Sequence, residues 1–135
     1  MKYPTLKYSG IKNKPWQLAT EFKITLSNGD EMRIFKGYWT DFASIPTGLR
    51  LLLTGNFRRP SKEFPAFIVH DYLYNFGGYS ISKFKQGEYT DIKVTRKFAD
   101  EEMRLQMLNY GASKFKARLF WLAVRVGGLF SWKTL

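Results

Sequence analysis

Between Glu21 and Leu26 the apolar residues Phe22, Ile24 and Leu26 alternate with polar neighbours, and Asn28-Gly29 separates this run from Glu31 to Phe35. Alternation with period two marks a strand with one buried face, and Asn-Gly supplies left-handed backbone for a tight turn, so the pattern predicts a β-hairpin. The same alternation returns at Ser80 to Lys85 and Glu88 to Val94 around Gln86-Gly87, which predicts a second hairpin.

Elsewhere the apolar period lengthens to that of a helix. Lys62 to Phe76 has Ser61 as an N-cap, Pro65 in a first turn and Gly77-Gly78 as a stop. Ala66, Phe67, Ile68, Val69, Tyr72, Leu73 and Tyr74 leave this helix almost no polar side, which predicts burial. Thr95 caps a second helix running to about Tyr110, with Ala99, Met103, Met107 and Tyr110 inward and Gly111 closing it. A third runs from Ser113 to about Val126, where Phe115, Leu119, Leu122 and Val126 form one face and Lys114, Arg118 and Arg125 another. The expected role of that apolar face is to cover the domain, with an anionic membrane surface as the alternative. The expected fold is therefore α+β, a single domain over residues 1–135 with antiparallel hairpins packed on about three helices and the HDYLY helix central.

Tyr38 through Arg59 carries Pro46, Gly48 and Gly55 around Leu51 to Leu53 and reads as an ordered loop. This loop opens with Thr40 to Pro46, TDFASIP, just past the end of a strand, where rigid scaffolds commonly mount functional side chains. His70 to Tyr74, HDYLY, holds the chain's single histidine. Histidine is the side chain most easily poised near neutral pH, so these two strings are the first place to look for chemistry. Neighbouring helix residues diverge by about 100°, so His70 and Asp71 do not face each other. Their partners are expected among Asp41, Ser44, Arg96 and Asp100, because polar groups in a buried helix need hydrogen bonds.

The chain has 135 residues, no cysteine, and 22 basic against 11 acidic residues for a formal charge of +11. Lack of cysteine removes disulfides, thiolate nucleophiles, iron–sulfur clusters and sulfur-ligated zinc. The longest apolar run, Leu119 to Val124, is too short to span a bilayer, so no transmembrane segment is expected. Met1 to Gly10 lacks the apolar core of a secretory signal. The charge suits nucleic acid or another anionic surface, with Arg58, Arg59 and Lys62 as candidate anion contacts beside the His70 helix.

Four strings in order, TDFASIP, AFIVHDYLY (Ala66 to Tyr74), RKFAD (Arg96 to Asp100) and ARLFWLAVRVGGLFSW (Ala117 to Trp132), resemble a phage and prophage family known only as domain of unknown function number 1353. The resemblance runs from about Phe35 to the C-terminus, and the first hairpin fits loosely. The excursion at residues 78–94 is longer than the family's usual connection and is expected to be an inserted hairpin. The resemblance implies a bacteriophage origin and brings no established reaction. The order His70, Asp71, Tyr74 also resembles the helix of secreted phospholipases A2, in which the histidine activates water and the following aspartate helps hold calcium. Their disulfides and glycine-rich calcium loop are missing here.

Two readings of the polar set stay open. In the first, His70, Asp71, Asp41 and Asp100 converge as a hydrolytic site, either around a divalent metal such as zinc, manganese or calcium, or with His70 as general base for water or Ser44. In the second, the same groups with Thr40, Tyr74 and Arg96 form a structural network. The corresponding functions are a bacteriophage-encoded accessory or virion-associated protein with a His/Asp hydrolytic site, a non-catalytic assembly module binding virion proteins or DNA, or an inhibitor of a host protein. The expected location is the host cytoplasm or the virion.

Overall fold

The computed structural model describes residues 2–8, 16–40, 62–83 and 88–127. The fold is α+β: three antiparallel β units pack against three helices among the described residues. Strands β3 (Phe22–Thr25) and β4 (Glu31–Ile34) form the first expected hairpin, in the register Phe22↔Ile34 and Ile24↔Met32. All four of these side chains are buried, as the alternation requires. Leu26 and Asp30 close the turn, and Gly29 takes φ +90° there.

Three short strands were not visible in the pattern. β1 (Leu6–Tyr8), β2 (Trp16–Leu18) and β5 (Trp39–Thr40) make an antiparallel sheet in the order β1-β2-β5. Each has only two or three residues, too few for alternation to stand out from a loop. This sheet shortens the expected loop, because Thr40 is a paired residue opposite Trp16 rather than a loop residue.

Helix α1 (Phe64–Phe76) is buried from Pro65 to Asp71 and again at Leu73 and Tyr74. Its cap position is Glu63, which makes no side-chain cap bond; the expected cap, Ser61, lies outside the described residues. Gly77 ends the helix in the left-handed conformation and donates its N–H to the Leu73 carbonyl. The chain then enters β6 (Gly78–Lys83), which pairs with β7 (Glu88–Lys93) as the second hairpin. Helix α2 (Arg96–Asn109) starts at the expected Thr95 cap, whose hydroxyl accepts from the Phe98 N–H, and lies between α1 and helix α3 (Lys114–Gly127).

The rotation of α3 differs from expectation. Its core-facing residues are Ala117, Phe120 and Val124, with the Phe120 ring 5.6 Å from that of Phe67 on α1. Phe115, Leu119, Leu122 and Val126 point outward. α3 carries two apolar stripes, and periodicity alone cannot choose between them; hydrogen bonds at its C-terminal end help to fix the choice.

Candidate active site around His70

α1 carries His70 on the side facing α2, where Asp100 stands in the second turn of that helix. His70 Nε2 and Asp100 Oδ1 are 2.7 Å apart, and both side chains are fully buried. Tyr74, one turn beyond His70, donates its hydroxyl to the same carboxylate oxygen at 2.5 Å. The other oxygen, Oδ2, accepts from Arg125 Nη1 at 2.9 Å and from Arg96 Nη1 at 3.4 Å. Arg96 Nη1 also donates to the carbonyls of Val124 and Arg125, at 3.2 and 3.1 Å. The last carbonyls of a helix have no intrahelical donor. Arg96 therefore serves α2 and the end of α3 at once, and with the Arg125–Asp100 contact and the packing of Phe120 it holds α3 in this rotation.

These contacts fix the protonation state. Burial alone pushes the Asp100 carboxyl upward, but hydrogen bonds from His70, Tyr74 and Arg125 outweigh it and hold the group below the ordinary carboxylate range. Burial lowers the His70 imidazole, with Arg96 adding to the effect and Asp100 opposing it. The result is a neutral imidazole beside an ionised carboxylate. Since Asp100 only accepts, Nε2 carries the ring proton.

Among the described residues, Asp71 belongs to a different network. Its Oδ2 accepts from Tyr38 and Thr40 hydroxyls at 3.0 and 2.9 Å, and Asn75 Nδ2 donates to the Tyr38 hydroxyl at 2.9 Å. Burial, followed by the charge of Asp71, raises the Tyr38 phenol, so it remains a donor. The β2–β5 pairing delivers Thr40 to this point. The structure thus brings together His70, Asp100, Tyr74 and Arg96 on one side of α1, and Asp71 and Thr40 on another. Asp41, Ser44, Arg58 and Arg59 lie outside the described residues. Lys62 is exposed and runs past Gly111 in the α2–α3 turn.

Among the described residues, no three His, Asp or Glu side chains are grouped to hold a metal ion. The carboxylate nearest His70 is already matched to two guanidinium groups, which disfavours adding a cation there.

A family model matches residues 16–124. The chain belongs to the family described as "Protein of unknown function (DUF1353)". No curated protein and no solved structure matches the chain at significant similarity. The DUF1353 match begins at Trp16, so it takes in the first hairpin, which fitted only loosely by motif. It spans all of α1 and α2 and ends at Val124, whose carbonyl Arg96 binds.

Two contributors to the polar interior were missed in the sequence. Arg125 was placed on the outward face of α3, and its charge in a last helical turn was the available clue. Glu102 is buried beside Ser27: it accepts the Ser27 N–H at 2.9 Å and the Ser27 hydroxyl, and Gln106 Nε2 bridges it to the Thr25 carbonyl. This contact ties α2 to the first hairpin, and no local pattern announces it.

Proposed function

We propose that the chain is a bacteriophage-encoded accessory or virion-associated hydrolase in which His70 is the general base and Asp100 its orienting partner. The observation that supports this most is the 2.7 Å contact between His70 Nε2 and an ionised, doubly arginine-bound Asp100. It holds the ring in one tautomer. In the proposed step the imidazole takes a proton from water as that oxygen adds to a carbonyl carbon. The imidazolium, stabilised by Asp100, then returns the proton to the leaving group. Tyr74 positions the carboxylate through the same oxygen. The order His70, Asp71, Tyr74 on one helix, similar to that of secreted phospholipases A2, supports the same role for the histidine.

The test is hydrolysis by the purified chain of chromogenic short- and long-chain esters, phospholipid vesicles and peptidoglycan sacculi. The expected result is turnover of at least one substrate, reduced by about 100-fold or more in His70→Asn, with circular dichroism and thermal melting reporting an intact fold. No turnover of any of these, or full turnover by the folded variant, would overturn the hydrolase reading.

A second reading draws on the complete burial of His70 and Asp100. The network is then a packing device, and the chain is a non-catalytic phage assembly module that uses its +11 charge against virion proteins or nucleic acid. Its signature is the chain's presence in purified particles together with retained particle assembly by a folded His70→Asn variant.

A further inference from the structure

The outward face of α3 is apolar. Phe115 is 79% exposed, Val126 76%, Leu122 49% and Leu119 40%. At about 100° per residue these four fall within a sector of about 60°, opposite the core-facing Ala117, Phe120 and Val124. Lys114 and Arg118 border the sector on one side, where Arg125 is turned to Asp100, while Lys116 on the other side pairs with Glu63; α3 contains no acidic residue. No described element covers this second apolar face. Contiguous exposed apolar residues rimmed by charge mark a docking surface.

Beside this face a cavity of about 510 Å³ opens between α2 and α3, lined by Glu101, Arg104, Leu108, Lys114, Arg118 and Trp121. Glu101 is engaged by Arg104, which leaves the cationic Lys114 and Arg118 dominant there. A phosphate in this groove would meet the two cations Lys114 and Arg118.

We infer that α3 lies on an anionic phospholipid surface, with Phe115, Leu119, Leu122 and Val126 at the acyl boundary and Lys114, Arg118 and the adjacent groove holding headgroup phosphates. Charge and shape together select this occupant. Nucleic acid would be met by the cations but would leave the central apolar sector uncovered. A second copy docked face to face would bring the same cations together with no acid on α3 to pair them. No described helix is long and apolar enough to cross a membrane, so the helix lies on the surface rather than through it.

The experiment is flotation of the full chain with vesicles of phosphatidylcholine alone, or with about one-third phosphatidylglycerol, at low and high salt. The expected result is binding at least about tenfold tighter to the anionic vesicles, weakened by salt. Lys114→Glu/Arg118→Glu and Phe115→Ser/Val126→Ser should each weaken it by at least about tenfold while circular dichroism stays unchanged. Three outcomes overturn the inference. One is absence of binding by the folded protein, and another is binding indifferent to the Phe115/Val126 change. The third is lipid-free self-association, seen by analytical ultracentrifugation, that the Phe115/Val126 change abolishes, which would give the face to a second copy.

Discussion

Arg125, in the last turn of α3, donates to Asp100 Oδ2 at 2.9 Å, so the charge compensating the buried carboxylate arrives from a helix that follows it in sequence. Asp100 is fully buried, whereas Arg125 keeps part of its side chain in water. The two substitutions should therefore differ in cost. Asp100→Asn removes the charge that three helices converge on and leaves two guanidinium groups uncompensated, with an expected loss of about 3–5 kcal/mol. Arg125→Leu leaves Arg96 and His70 still bound to Asp100 and should cost about 1–2 kcal/mol. The double variant should cost less than the sum, since both changes remove the same contact. Urea denaturation of the three variants checks the order, and equal losses for the two single variants would contradict it.

The buried imidazole also predicts an acid-sensitive window. The folded His70 value lies below the ordinary 6.5 because burial disfavours the cation. The unfolded chain therefore takes up a proton first as pH falls, and stability is lost from about pH 6.5 downward until the folded value is reached. Asp100, held below 3.8, adds a second loss in the same direction that begins near that lower pH. His70→Asn should flatten the upper window and shrink the lower one, since His70 is among the groups that hold Asp100 down. Melting temperature measured across pH 3 to 8, relative to about the neutral value, tests this; an upper window unchanged in the variant would assign it to another group.

The α+β layout was legible because the hairpins and helices are written in local signals: alternation at Phe22 to Leu26, the Thr95 cap, the Gly77 stop. The pairing of His70 with Asp100 was partly legible, since a buried polar residue must find a partner and few candidates existed. What stayed hidden is set by contacts between distant residues. Glu102 meets Ser27 across 75 positions, and β5 exists only because Trp16 and Gln17 offer Thr40 and Trp39 an edge. The face that α3 presents was hidden for the same reason, since Arg96 helps to decide it from another helix.

Glu102 offers a stability test away from the proposed chemistry. It is almost fully buried, and its carboxylate serves both the Ser27 backbone N–H and Gln106. Glu102→Ala strands these donors and should cost about 1–3 kcal/mol. The first hairpin should loosen before the rest of the fold. Amide hydrogen exchange is the appropriate measurement, with faster exchange expected at Ser27 and across β3–β4 and little change in the α1–α2 contact. Uniform acceleration throughout the chain would mean that the hairpin does not open as a separate unit.

Gly78 and Gly29 separate two reasons for using glycine. A Cβ added at Gly78 would lie 2.1 Å from the Ile92 carbonyl oxygen, which is backbone and held in the β6–β7 ladder. Neither atom can step aside without breaking the pairing of Gly78 with Lys93. At Gly29 a Cβ meets nothing within 4 Å, and the only obstacle is the left-handed φ of +90°. Gly29→Ala should thus cost about 1–2 kcal/mol from backbone strain alone, whereas Gly78→Ala should cost at least about 1–3 kcal/mol from crowding and displace the start of β6. Gly29→Asn, which tolerates left-handed backbone, should recover part of the loss, while Gly78→Asn should be worse than Gly78→Ala. Thermal melts of the four variants measure this pattern, and recovery by asparagine at position 78 would show that conformation rather than space is what Gly78 provides.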